Sequence, residues 1–399
     1  MRRLPMTNLP RDVQILSVVA LFVAIGFGVM VPVLPVFARS FEVSQFQVGA
    51  VISAFALARL LMSPFCGPIN QVIGERVALG IGIGIVAIST AAAGLSRNYL
   101  QLLLLRGAGG LGSAMFSVSA MSLLLASVTA EQRGRASALW SGGFLLGGMA
   151  GPAVGGVLAA ISLRAPFFFY AGTLVIAGSI ALAMLSRDRV QHHDKARGTS
   201  RQLMQRVWAQ RRYKVACLAN FTAGWQAQGV RSTLVPLLVV EVLDRPPSWT
   251  GVACAVAAVA QVLALQPAGR ITDTWGRKPV LVTGLVTCAV ASLAIPFAPN
   301  IIVLTIVLCV FGAGSAALST APTAIVGDVT GGAGGTPVAV YQMHSDLGSI
   351  IGPLAAGALA DHYPLPIAFG IGALLMAIIG GWGATVRPQG EHPSGSVKP

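Results

Sequence analysis

The residues best placed to do chemistry are charges standing where the sequence is otherwise apolar. Asp346 lies in Tyr341-Gln342-Met343-His344-Ser345-Asp346-Leu347-Gly348-Ser349 and is the acid nearest the middle of any long apolar run. Gln342, Asp346 and Ser349 recur at i, i+4 and i+7, so a helix places them on one face. His344 falls about 200° round from Asp346 and faces another helix. A carboxyl in a low dielectric can hold and release a proton near neutrality. A free imidazole titrates near 6.5. Asp346 and His344 are therefore proton-coupling candidates. A structural ion pair of Asp346 with Arg231 or Arg106, recognition of a substrate amine, and a packed histidine remain as alternatives.

Three arginines, Arg59, Arg106 and Arg231, also stand inside apolar runs. An ionisable group there is costly and is by default a functional hypothesis, so all three are expected to face an aqueous cavity. Trp225, Gln228 and Arg231 follow at i, i+3 and i+6 and drift round one helix face. An aromatic, an amide and a base suit a flat or partly anionic solute; a lining helix without direct contact is the alternative. Gln342, Gln261, Gln266, Phe116, Ser113 and Ser117 are further cavity candidates. No nucleophile–base pair and no metal-ligand spacing occurs, so neither catalysis nor a metal or cofactor is expected. His192-His193-Asp194 is taken as a solvated loop, because no further ligands stand near it.

The elements that position these groups must be membrane helices. Of 399 residues, 55% are apolar and 10% charged, against roughly 25% charged in soluble chains; mean hydropathy is +0.76. That excludes disorder, a secreted disulfide scaffold and an ordinary cytosolic enzyme. A span needs roughly 20 apolar residues. Twelve such runs occur, at about 13–37, 45–66, 77–95, 99–126, 134–160, 165–186, 213–240, 249–269, 279–298, 301–327, 337–360 and 365–386. The first is too long, and too soon followed by another, to be a cleavable signal. The five cysteines fall in or beside these runs without a CxxC and are expected as small core residues. Gly80-Ile81-Gly82-Ile83-Gly84 lies inside a span with no strand before it, which makes it helix packing and not a nucleotide loop.

The net charge of +14 is distributed by side. With the N-terminus cytoplasmic, Arg2, Arg3, Arg11, Arg76, Arg133, Arg135, the 187–214 cluster, Arg270, Arg277, Lys278, Arg387 and Lys398 fall inside. Only Arg39, Arg97, Arg164 and Arg245 fall outside. This bias puts both termini in the cytoplasm and makes nucleic acid an unneeded partner. The arginine-rich composition hints at a GC-rich bacterial genome.

The halves resemble each other. GPINQVIGERVALG at 67–80 parallels GRITDTWGRKPVLVTG at 269–284, and GGMAGPAVGG at 147–156 parallels GSIIGPLAAG at 348–357. The offsets are 269 − 67 = 202 and 352 − 151 = 201. One period for two pairs indicates duplication, and such repeats place a solute site at their interface. The expected organisation is a cytoplasmic N-terminus at 1–12, a six-helix bundle at 13–186 and a basic cytoplasmic linker at 187–212. A second bundle follows at 213–386 and a cytoplasmic tail at 387–399. A short amphipathic helix at 203–208 is expected to lie on anionic headgroups.

Gly269-Arg270-Ile271-Thr272-Asp273-Thr274-Trp275-Gly276-Arg277-Lys278 resembles the gating-loop signature GxxxD(R/K)xGRR of the major facilitator superfamily. The earlier copy keeps Gly67, Gly74 and Arg76 but has Gln71 at the acid position, Val72 after it and Glu75 in place of a base. The family's latch between halves is therefore lost there, or carried by Glu75 and Arg76 in another geometry. Gly26 to Pro35, with Pro32, is similar to the helix 1 motif of the twelve-helix drug:proton antiporter branch. Arg106 in Leu102-Leu103-Leu104-Leu105-Arg106-Gly107-Ala108-Gly109-Gly110 resembles the superfamily's lxxxRxxxG, whose arginine faces the cavity and is linked to proton coupling. Gly147-Gly148-Met149-Ala150-Gly151-Pro152-Ala153-Val154-Gly155-Gly156 resembles the exporters' GxxxGPxxGG. Its small residues at i, i+4 and i+8 make a smooth face for close helix contact. The branch's usual acid in helix 1 is missing, since none lies between Asp12 and Glu42.

The resemblance implies an all-α major facilitator fold of 12 transmembrane helices in two pseudo-symmetric six-helix bundles, with helices 1, 4, 7 and 10 lining the cavity. The expected function is proton-coupled efflux of drugs or other small amphipathic solutes across the cytoplasmic membrane by a monomer. An organic-anion or phosphate-ester exchanger, an importer, and a dedicated exporter of one lipid, siderophore or natural product are the alternatives. The expected partners are protons, a small-molecule solute and the lipid bilayer.

Overall fold

A computed structural model of the chain describes residues 9–129, 132–185, 204–330 and 336–385, the side chains of 133, 134, 138, 228 and 336 excepted. The first half comprises α1 (Arg11–Met30), α2 (Leu34–Arg39), α3 (Gln45–Ile73), α4 (Glu75–Gly94), α5 (Tyr99–Ala126), α6 (Arg133–Ile161) and α7 (Ala165–Met184). The second comprises α8 (Arg211–Gly224), α9 (Pro247–Thr274), α10 (Arg277–Ala294), α11 (Ile301–Thr330), α12 (Thr336–His362) and α13 (Leu365–Thr385). Pro32 has no N–H to continue the ladder, so the first predicted span divides into α1 and α2 around a turn at 31–33. At α3, Ser44 and Gln47 cap one another reciprocally and fix where the helix starts.

Ten of the described helices are long and apolar enough to cross a membrane. The two predicted spans outside that set are the ones richest in polar groups. The helix α12 is 27 residues long, but Gln342, His344, Ser345 and Asp346 dilute its hydropathy. The span predicted at 213–240 is not one α-helix. After α8 the chain widens into a π-helix over Trp225–Leu234, tightens over Val235–Leu237 and widens again over Leu238–Val242.

The helices α1, α4, α5 and α7 share one apolar core around Leu16, Ile83, Leu102 and Phe167. The second half has its own cores around Tyr213, Leu285 and Met376 and around Leu234, Leu304 and Phe369. Close approaches repeat between halves. On α6, a Cβ at Gly147 would sit 2.6 Å from Ala24 Cβ, and one at Gly151 2.6 Å from Gly28 Cα. On α12, one at Gly348 would sit 2.8 Å from the Trp225 amide nitrogen, and one at Gly352 2.9 Å from Trp225 Cα. So α6 lies on α1 as α12 lies on the π-helix. Gly74 and Gly276, 202 positions apart, both have φ in the left-handed region (+83° and +98°), where the two gating loops turn sharply.

The halves meet through α3 against α12 and α6 against α9. Their contacts gather at the end away from the chain termini. Arg39 pairs with Glu241 at 2.9 Å, and 39 and 241 are again 202 apart. The Asp361 carboxylate, from the end of α12, accepts the backbone N–H groups of Gln45 (2.7 Å) and Phe46 (2.9 Å) that open α3. Deeper in, the Ser53 hydroxyl donates to the Ile350 carbonyl at 2.6 Å. Nearer the termini the halves part: Cβ atoms at Gly67 and Gly269 would meet nothing within 4 Å. Among the described residues the gating loops make no hydrogen bond across the halves. Among the described residues the halves meet at the far end and part toward the termini.

Candidate coupling pair and substrate cavity

Arg59, midway along α3, donates from Nη2 to Asp346 Oδ1, midway along α12. Among the described residues this is the ion pair between halves that lies nearest the open end. The side chains keep 37% and 26% of their exposure, so the pair is not sealed in the interface. The sequence left Asp346 with Arg231 or Arg106 as partners; its partner here is Arg59. Gln342 and Ser349 flank it on α12, with Ser349 donating to the Ser345 carbonyl. His344 turns away, bonded to the Val340 carbonyl at 2.7 Å, its ring tilted against Trp208 with centroids 6.2 Å apart. The helical turn at 204–208 therefore packs on this half: Val207 is buried, while Trp208 also meets Tyr213. Leu203, His192, His193 and Asp194 lie outside the described residues, as do most of the linker and the tail.

Arg231 faces two cavities. One, of about 250 Å³, lies within the second half between the π-helix, α11 and α12, lined by Asn220, Gln226, Arg231, Gln261, Tyr341 and Gln342. Its α11 wall carries Ser315, Ser319 and Thr323, a stripe at i, i+4 and i+8 that sequence periodicity could have revealed, beside Phe311 and Leu318. The other, of about 210 Å³, lies between the halves against the α1–α2 turn, α6 and α9, with Val31, Pro32, Phe144, Met149 and Val262 in its apolar wall. Arg231 and Gln261 line both. Among the described residues no acid lines either cavity, and none pairs with Arg231. Gly148 of the exporter-like motif opens onto the second cavity, while Gly156 touches α9: a Cβ there would lie 2.7 Å from the Ser248 carbonyl oxygen.

Several candidates fall elsewhere. Trp225 is buried in the core with its indole Nε1 unpartnered. The expected Trp225–Gln228–Arg231 face assumed 3.6 residues per turn. A π-helix closes at i+5 instead, which aligns Gln226 with Arg231. The Gln228 side chain lies outside the described residues. Arg106 was expected in the cavity but is 5% exposed inside the first half. Its guanidinium stands 4.4 Å over the Phe55 ring and 3.8 Å from Met30 Sδ. The glycines around it let α5 close on α3 and carry the arginine inward; a Cβ at Gly110 would meet Phe55 and Ala58. Phe116 is likewise core, 6.0 Å from Trp140, and Ser113 lines neither cavity. Gly26 sits where a Cβ would strike Tyr170 and Thr173, and Pro35 opens the buried α2.

The gating loops bind within their own halves. Arg76 donates to the Leu182 carbonyl and Glu75 accepts from Ser122 at 3.3 Å. Arg277 bonds Asp328 at 3.0 Å and stands 3.8 Å from Asp273, whose side chain is 76% exposed. Lys278 is half-buried beside it. All five cysteines are free, and Cys66, Cys217 and Cys288 are buried. Among the described residues no group of His, Cys, Asp and Glu could hold a metal.

Comparison with known proteins agrees with this architecture. The family profile described as Major Facilitator Superfamily matches residues 16–250 and 216–399. Multidrug resistance protein 2 of Bacillus subtilis is 24% identical over 369 residues, 90% of this chain and 92% of that one. The quinolone resistance protein NorA of Staphylococcus aureus is 24% identical over 366 residues, 89% and 92% of the two chains. The mouse synaptic vesicular amine transporter is 28% identical over 342 residues, but these span only 63% of it. Among solved structures, the nucleoside transporter NupG superposes with TM-score 0.73 at 12% identity, covering 94% of this chain and 99% of that one. An inward-facing, unoccupied bacterial homologue of the lysosomal transporter Spinster gives 0.70 at 17% identity, covering 94% of each. The chain belongs to the major facilitator superfamily and is a multi-pass membrane transporter, not an enzyme.

Proposed function

We propose that this transporter exports small amphipathic solutes across the bacterial cytoplasmic membrane in exchange for protons. It works as a monomer of two bundles, 13–186 and 213–386, with both termini and the linker 187–212 cytoplasmic. The open end then faces the cytoplasm, where solute enters. The multidrug-resistance relatives support the substrate class.

The observation that carries the coupling is the Arg59–Asp346 pair. It forms only with Asp346 ionised, and only while the halves meet around it. Proton occupancy and conformation are therefore linked. Ionised Asp346 favours the state open to the cytoplasm; a protonated carboxyl loses its ionic partner and favours opening at the far end. Protons are taken up outside and released inside, the direction an exporter needs. Arg106, walled off in the first half, takes no direct part, and His344 is secondary.

The test is efflux of dyes and antibiotics from a pump-deficient host, comparing the intact protein with Asp346→Asn, each with and without a protonophore. Efflux of unrelated compounds that is lost with either change supports the reading. Efflux that survives Asp346→Asn, with the protein in the membrane, overturns the coupling role.

A further inference from the structure

We infer that the two cavities, which share Arg231 and Gln261 in their walls, form one bipartite site for an amphipathic monoanion. Its charged head is held by Arg231 among the polar groups of the second half, and its apolar body lies between the halves. This rests on the exporter reading and names its substrate class.

Three independent features converge on it. The first is charge. Arg59 is neutralised by Asp346, whereas Arg231 lines both cavities and no described acid faces it. An unpaired cation lining a cavity attracts an anion and repels a cation. The second is division of polarity. Around the first cavity Asn220, Gln226, Gln261 and Gln342 with the α11 hydroxyls stand beside Phe311, Leu318 and Met376, a wall of mixed polarity. Apart from Arg231, Ser232 and Gln261, the second is walled by apolar side chains and glycine. The third is the backbone. The π-helix spans Trp225–Leu234, and its i+5 register brings Gln226 and Arg231 to the wall of the first cavity, with Gln226 buried and its amide nitrogen on Ser292 Oγ at 3.2 Å. An ordinary helix would put them 140° apart, at about 100° per residue, and the polar pocket would lose one of them.

The site can be tested on the full-length protein in lipid nanodiscs, without transport. Dansylaminoundecanoate serves as fluorescent probe and is competed with octanoate, octyltrimethylammonium, octanol and acetate. The expected result is displacement by octanoate at a concentration at least tenfold below those of the other three. Arg231→Gln weakens probe binding at least tenfold, and Arg231→Lys retains it within about threefold. Octyltrimethylammonium competing as well as octanoate would overturn the inference, on unmodified protein and whatever the variants do. So would unchanged binding in a folded Arg231→Gln. Because binding is read at equilibrium, an intact anion site in a protein that exports nothing would count against the exporter reading and leave this one standing.

Discussion

Replacing Asp361 should shift the transporter away from the state seen here. Its carboxylate accepts the first two N–H groups of α3 from across the halves, at 2.7 and 2.9 Å. Opening the far end must separate α12 from α3 and break both bonds. A helix N-terminus leaves such donors unpaired, and losing a capping side chain costs about 0.5–2 kcal/mol. Asp361 is exposed, so water can take over part of its role and the lower half of that range applies. About 1 kcal/mol of lost closure changes the ratio of far-end-open to far-end-closed molecules roughly fivefold, since 1.4 kcal/mol is tenfold. The carboxylate uses Oδ1 for one N–H and Oδ2 for the other, and Asn offers a single acceptor oxygen, so Asp361→Asn should move the ratio part of the way and Asp361→Ala the full amount. The assay is a spin-label distance distribution between cysteines at Arg97 and Pro299, one on each half at the far end, with the native cysteines replaced. An Asp361→Ala distribution identical to the parent's would refute the cap as a closing contact.

Other outcomes follow from the same geometry. Arg39→Gln removes an ion pair whose side chains are 40% and 34% exposed; solvent screening limits its effect to a few tenths of a kcal/mol, a shift under about twofold in the same assay. Gly151→Val has no room beside Gly28 and should lower thermal stability by about 1–3 kcal/mol or abolish folding. Gly148→Ala, whose Cβ would meet nothing within 4 Å, should leave the melting temperature unchanged. Gly276→Ala forces a side chain into φ +98°, a strain of order 1–3 kcal/mol. It should destabilise, whereas Gly269→Ala, near the end of α9, should not.

Much of the fold is legible in the sequence because the membrane permits so few solutions. Apolar length locates the helices, and the 201–202 offset reappears in space as Gly74 and Gly276 and as Arg39 facing Glu241. The glycine spacing of 147–156 translates directly into contact with α1. What periodicity misreads is the span with irregular periodicity. The π-helix leaves Trp225 in the core and sets Gln226, itself buried, in the cavity wall beside Arg231. Arg106 was misplaced for a related reason: an apolar run with one charge does not reveal whether that charge meets water or an aromatic ring. Asp361 was missed because an acid at a span's end looks solvated unless its partner helix is known.

The link between protonation and conformation is measured most directly by following the Arg97–Pro299 label distance against pH in the parent, in Asp346→Asn and in His344→Gln. Acidification should lengthen the distance in the parent and in His344→Gln. Asp346→Asn, which mimics the protonated carboxyl, should be long at every pH and insensitive to it. A pH response that persists in Asp346→Asn, or is lost in His344→Gln instead, would contradict the coupling role assigned to the Arg59–Asp346 pair.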